Sequence, residues 1–240
     1  MAVSRWAASV EDFVTAVRAR LQARCAAALH GVAPEAVLGP LTGGKMLRTR
    51  LAGRLVVAGA AGRADVAAGC AAAVEMVHTA SLCHDDVIDG GRVRRAAPAL
   101  WRRAGAPAAI LLGDVLLAES VDMVAASDGR FVRAFAAAVR EVCGAEARSE
   151  LRLRGRVLDA PACIAQAAGK TGALFGFAAR ACGGLDAGQS AALDRAGRAL
   201  GTAYQLADDL LDTRPDGGAC GKTLGTDAAR RKCTLAQGPD

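Results

Sequence analysis

Two Asp-Asp-x-x-Asp motifs, each set in an otherwise apolar helical run, constrain this chain more than any other feature of its sequence. The first lies in SLCHDDVIDGGRVRR (81–95) and comprises Asp85, Asp86 and Asp89; the second lies in YQLADDLLD (204–212) and comprises Asp208, Asp209 and Asp212. On a helix the first and last members of each motif are four residues apart and share a face. Like charges so placed repel, so the fold gains nothing from them without a counter-ion. Polar residues extend both stripes backwards: His78 and Ser81 precede Asp85 and Asp89, and Gly201 and Gln205 precede Asp208 and Asp212. A polar stripe along an apolar helix faces a polar cavity or another polar stripe. Hard divalent cations such as Mg²⁺ use carboxylate oxygens of this kind together with substrate phosphates.

The rest of the chain reads as helix. Hydrophobic residues make up 52% of the 240 but aromatics only 3%, so the core is built mainly of Ala, Leu and Val. Basic residues are mostly Arg, which with Ala and Leu favours helix over sheet. There is no sustained apolar/polar alternation and no internal repeat. Helices are expected near 5–30, 46–60, 64–89, 106–126, 130–153, 158–182 and 188–213, separated by Gly, Pro and Asp breaks. No composition shift marks a linker, so residues 1–240 are expected to form a single all-α domain, a helical bundle. The first twelve residues lack the apolar core of a secretory signal, and no uncharged apolar run reaches membrane-spanning length. The eight scattered cysteines, without a C-x-x-C pair, read as reduced helix-packing residues of a cytoplasmic protein. A net charge of +6 with so few aromatics for base stacking points to a small anion rather than nucleic acid.

The basic residues that accompany glycines or the acidic motifs fall in four places: Gly43-Gly44-Lys45-Met46-Leu47-Arg48, Arg94-Arg95, Gly169-Lys170-Thr171, and Gly221-Lys222-Thr223 with the segment to Asp227. Glycine lets backbone N–H groups approach an anion, and Lys and Arg donate charge-assisted hydrogen bonds. Gly39 to Lys45 fits the spacing of a nucleotide-binding P-loop. Met46 stands where that loop needs Ser or Thr, and no strand precedes it, so that reading fails.

Taken in order, GGKMLRTR, EMVHTASLCHDDVIDGGRVRR, ILLGDVLLAES, GKTGALFGFAARACGG, AYQLADDLLD and GKTLGTDAARRKCTL resemble the trans-isoprenyl diphosphate synthase (polyprenyl synthetase) family over roughly residues 40–235. The resemblance implies an isoprenyl synthase bundle with a central substrate cavity and a Mg²⁺-dependent prenyltransferase joining isopentenyl diphosphate to an allylic diphosphate. By the same resemblance Lys45, Arg48, His78 and Arg95 hold the first diphosphate. Arg94, Lys170, Thr171, Gln205, Lys222 and Lys232 surround the second. Asp85, Asp89 and Asp208 lead the metal ligands, supported by Asp86 and Asp212, with Lys170 and Lys222 counted among the catalytic groups. Met46 and Thr49 replace an Arg and a Pro of the family pattern, and Ala96 and Trp101 a Gly and a His. The chain is expected to lack the family's usual C-terminal helices.

The resemblance carries two further expectations. Ala80 and Ser81, with Val77 behind them, occupy positions where short-chain members place a bulky aromatic floor, so a product of C20 or longer is expected. The apolar run in 106–126 predicts a homodimer, or a heterodimer with a longer homologue. Three other functions remain open: a non-catalytic partner subunit, a terpene cyclase, and an HD-type metal phosphohydrolase. The last would need more histidine ligands than His30, His78 and His84 supply.

Overall fold

Ser9 opens the first helix by accepting the N–H of Asp12 at 3.1 Å, satisfying one of the donors a helix start leaves unpaired. The computed structural model describes residues 9–32, 43–60, 63–95, 97–154, 156, 158–183 and 186–212. Its helices are α1 (Val10–Leu29), α2 (Leu47–Leu55), α3 (Ala64–Asp89), α4 (Leu100–Ala104), α5 (Ala106–Asp128), α6 (Val132–Arg148), α7 (Ala160–Ala167), α8 (Ala173–Arg180) and α9 (Ala187–Asp212). Between α3 and α4 runs a two-stranded antiparallel hairpin, β1 (Val93–Arg94) and β2 (Ala97–Pro98).

The alanines make α3 the central helix. Ala68, Cys70, Ala71, Ala72, Ala73, Val74 and Met76 are completely buried, and small side chains let α5 pack closely along them. Two glycines mark that approach: a Cβ on Gly69 would lie 1.8 Å from Ser127 Oγ, and one on Gly113 would lie 2.2 Å from His84 Nε2. α3 is long and apolar enough to cross a membrane, but 78% of that apolar window is buried inside the fold, where it serves as the core helix. Beside it Phe135 and Phe177 pack with ring centroids 5.1 Å apart, and Phe131 meets Phe177 edge-on.

Several expected helices are interrupted. π-turns follow α6 (Ser149–Leu153) and α7 (Ala168–Gly172), and the stretch after α2 (Val56–Ala60) is kinked at Gly59, whose φ of 147° is not helical, so 46–60 ends in a kink, 130–153 is a helix with a bulge and 158–182 is two helices joined by one. The bulge at Ala168–Gly172 lies against α9: a Cβ on Gly172 would meet Thr202 Oγ1 at 2.9 Å and the Arg198 carbonyl at 3.0 Å. α4 and the hairpin fall in a stretch expected to be loop.

Candidate active site

Gly90 ends α3 one residue after Asp89, in the left-handed conformation (φ 64°) that glycine adopts without strain. Asp85, Asp86 and Asp89 therefore occupy the carbonyl end of a 26-residue helix, where the helix dipole is itself negative. Repulsion among the carboxylates and the dipole act in the same direction, and both are relieved by a cation.

That end opens into a cleft of about 380 Å³. From α3 it is lined by Glu75, His78, Ser81, Leu82, Asp85 and Asp89, and from α9 by Tyr204, Gln205, Asp208 and Asp209. Cations stand among them: Lys45 and Arg48 at the start of α2, Arg94 and Arg95 from the hairpin, and Lys170 from the π-turn. Val142, Leu174, Leu82 and Met46 supply the apolar wall. Thr171 donates to Gln205, whose Nε2 donates to Asp209 Oδ1 at 2.7 Å. Lys170 Nζ lies 2.7 Å from Glu146 Oε1.

Two backbone outliers bring the basic loops together. Met46 (φ 48°) and Arg95 (φ 53°) are the non-glycine residues in the left-handed region among those described, a conformation that costs strain and clusters at functional sites. Gly44 (φ 126°) leaves room for the Arg95 guanidinium, since a Cβ there would lie 3.0 Å from Nη2.

Arg48 is 9% exposed, its Cζ 5.1 Å from the centre of the Phe175 ring, which stacks on Tyr204. Among the described residues its Nε has no hydrogen-bond partner. A buried guanidinium N–H left unmatched is costly and is ready for an anion. Burial lowers the proton affinity of Arg48 and of Arg95. Burial, and then Arg48, Arg95, Arg94 and Lys170, push the His78 imidazole well below its ordinary value, so it is neutral at pH 7.

Comparison with known proteins follows the same line. The polyprenyl synthetase model matches residues 15–237. The chain belongs to the polyprenyl synthetase family. Over 208 residues it is 36% identical to a short chain isoprenyl diphosphate synthase of Methanothermobacter thermautotrophicus, covering 80% of this chain and 62% of that protein. Over 203 residues it is 38% identical to a geranylgeranyl diphosphate synthase of Mycobacterium tuberculosis, covering 80% and 57%. The chain thus spans about three fifths of the length of these curated relatives. A polyprenyl synthase from Caulobacter crescentus, solved with calcium and isoprenyl diphosphate, superposes with a TM-score of 0.78 at 30% identity, covering 97% of this chain and 74% of that one.

Within this polyprenyl synthetase cleft most of the expected residues converge, and three do not. Asp86 turns away from Asp85: it is 3% exposed, and its Oδ1 accepts from Arg94 Nε and Nη2 at 3.0 and 2.6 Å. One residue along a helix turns a side chain by roughly 100°, which carries Asp86 off the stripe into an ion pair with Arg94. Ala80 and Val77 also leave the cleft wall. They are 3% exposed in the apolar core, Ala80 lying roughly 140° round the helix from Asp85, and only Ser81 of the three reaches the cleft. Asp212 is the last residue of α9 as described. Lys222 and Lys232 lie outside the described residues.

The cleft also holds residues the sequence reading did not single out: Glu75, Glu146, Phe175 and Tyr204. Glu75 lies three residues before His78 on the same helical stripe, a spacing that points to it. Phe175, Tyr204 and Glu146 carry no such signal. His84 leaves the site: its Nε2 lies 3.1 Å from the Ile110 carbonyl and 3.3 Å from Asp114 Oδ1, tying α3 to α5. Among the described residues no group of three or more His, Cys, Asp or Glu is gathered tightly enough to enclose a metal ion. The carboxylates instead line the cleft from two helices, an all-oxygen donor set suited to a hard cation that keeps waters and phosphate oxygens as its remaining ligands.

Proposed function

We propose that this chain is a Mg²⁺-dependent trans-prenyltransferase that condenses isopentenyl diphosphate with an allylic diphosphate to a product of C20 or longer. The observation that carries the reading is the convergence, in one cleft, of carboxylates from α3 and α9, five cationic side chains and an apolar wall. Calcium and isoprenyl diphosphate in the Caulobacter relative support both the metal class and the ligand class.

Asp85, Asp89 and Asp208 would hold Mg²⁺, with Asp212 supporting and Asp209 added by its place on the cleft. Bound there, Mg²⁺ would stabilise the negative charge that develops on the departing diphosphate. Lys170 and Arg94, with Thr171 and Gln205, surround the allylic diphosphate, a set that Lys222 and Lys232 complete by family resemblance. Together they offset charge at the leaving group, which is electrostatic catalysis by a preorganised site. Lys45, Arg48 and Arg95 bind the isopentenyl diphosphate, and neutral His78 offers it an uncharged hydrogen bond. Leu82, Val142 and Leu174 keep water from the allylic cation. Small Ser81 on the cleft wall, and the lack of any aromatic residue on α3, fit a long product.

The experiment is Mg²⁺-dependent elongation by Asp85→Ala and Asp208→Ala. Each is expected to lose orders of magnitude in turnover with the fold intact, because removing a like charge from a helix end does not unfold it. Near-normal turnover in both would refute the assignment.

A further inference from the structure

The start of α2 has no cap of its own. Met46 stands at its N-cap in the left-handed conformation and contributes no side-chain hydrogen bond, although helix starts leave several N–H groups unpaired. The cap comes from across the core. Glu75 Oε1 on α3 accepts both the N–H of Thr49, at 3.2 Å, and its Oγ1–H, at 3.0 Å. Thr49 is fully buried and Glu75 is 6% exposed. The carboxylate is thus fixed at a helix N-terminus, where the dipole favours negative charge.

Thr49 directly follows Arg48, the guanidinium whose Nε is buried without a partner among the described residues. Arg48 and Arg95 also feel the Glu75 charge, which favours the protonated form of each against burial. Glu75 itself lines the cleft. One carboxylate therefore pins the backbone that carries Arg48 and offsets the charge of buried Arg48 and half-buried Arg95 before an anion arrives.

We propose that Glu75, anchored by Thr49, is the positioning residue for the diphosphate subsite formed by Arg48 and Arg95. The inference rests on the functional reading above for the identity of the substrate, but the capping geometry stands without it. Glu75 presets the cationic pair for one of the two diphosphates, so its loss is felt in the binding of that substrate and not in the binding of its partner.

The test compares Thr49→Val, Thr49→Ser and Glu75→Gln in the full chain. Val keeps the volume and the N–H but removes the hydroxyl donor; Ser keeps both donors. Steady-state constants are measured separately for isopentenyl diphosphate and the allylic diphosphate, and inorganic pyrophosphate binding is measured by calorimetry. Thr49→Val and Glu75→Gln are expected to raise KM for isopentenyl diphosphate about tenfold while the allylic KM moves less than twofold. Thr49→Ser is expected to remain close to the unsubstituted chain. A merely structural role lowers Tm and moves both KM values together, and that outcome overturns the proposal. Equal pyrophosphate affinity in Glu75→Gln and the unsubstituted chain overturns it too, whether or not the protein elongates prenyl chains. Pyrophosphate binding weakened by Glu75→Gln in a protein without elongation activity would instead reject the prenyltransferase reading and leave the positioning role standing.

Discussion

Adjacent aspartates on α3 have opposite fates, and that contrast is the sharpest test at the scale of single residues. Asp85 faces the cleft, whereas Asp86 is buried against Arg94. Removing one partner of a buried pair leaves the other charge stranded; since Arg94 is about one-third exposed, the cost is expected to be on the order of 2 kcal/mol. Asp86→Ala should therefore lower the denaturation midpoint, while Asp85→Ala leaves it within error and abolishes turnover. Denaturant titration of both variants checks this, and equal midpoints would contradict it. His78 gives a pH signature. Its folded pKa lies below the ordinary 6.5, so between the two values the unfolded chain binds a proton that the folded one does not. The stabilisation is complete above about 6.5 and is lost as pH falls from there towards the folded value. Tm of the unsubstituted protein should drop more steeply from pH 7.5 to 5.5 than that of His78→Gln; parallel curves would remove His78 from the account.

Among the elements, the α3–α5 contact depends on glycine where side chains would collide. Gly113→Ala pushes a methyl group into the His84 ring, which must leave the Ile110 carbonyl to make room. The expected cost is about 1–2 kcal/mol, partly recovered in the Gly113→Ala, His84→Ala double variant, and additive midpoints would reject the coupling. The same element explains what the sequence reveals and what it conceals. α3 was legible because its polar stripe repeats at helical spacing through apolar neighbours, and its end because Gly90 stops it. A motif is recognised in sequence as a unit, whereas a helix turns adjacent side chains to different faces, and this is what separates Asp86 from Asp85. Ala80, five residues before Asp85, is likewise turned off the cleft into the apolar core. The π-turn at Ala168–Gly172 is not legible in the sequence because it sits against α9, a tertiary demand that local propensity does not encode. Lys45, Arg48 and Lys170 could be placed near the site only by resemblance, since they come from segments distant in sequence.

Across the molecule, burial separates the cysteines. Desolvation pushes Cys25 up to about 11 and Cys70, Cys83 and Cys182 up to about 12, so they stay protonated and unreactive. Among the six described cysteines only Cys143 is exposed. Peptide mapping after a short thiol-alkylation pulse at neutral pH should find it modified well before those four; comparable labelling of all five would mean the fold opens on that timescale. On the outer face of α5, Ile110, Leu111 and Val121 are exposed beside the exposed Asp114 and Asp122, a mixed face that we propose pairs with a second chain. Light scattering at micromolar concentration should report a dimer that Leu111→Glu weakens, and a strict monomer would defeat the pairing. On the proposed function one cleft holds isopentenyl diphosphate and an allylic diphosphate with a divalent cation and transfers the allylic chain to the former, releasing pyrophosphate. This is tested most directly by incubating the chain with isopentenyl diphosphate and each allylic starter, with Mg²⁺ or with chelator, and resolving the products by length. Mg²⁺-dependent formation of C20 or longer prenyl diphosphates is the expected result. Absence of any elongated product from every starter, in a folded protein with Mg²⁺ present, would contradict it.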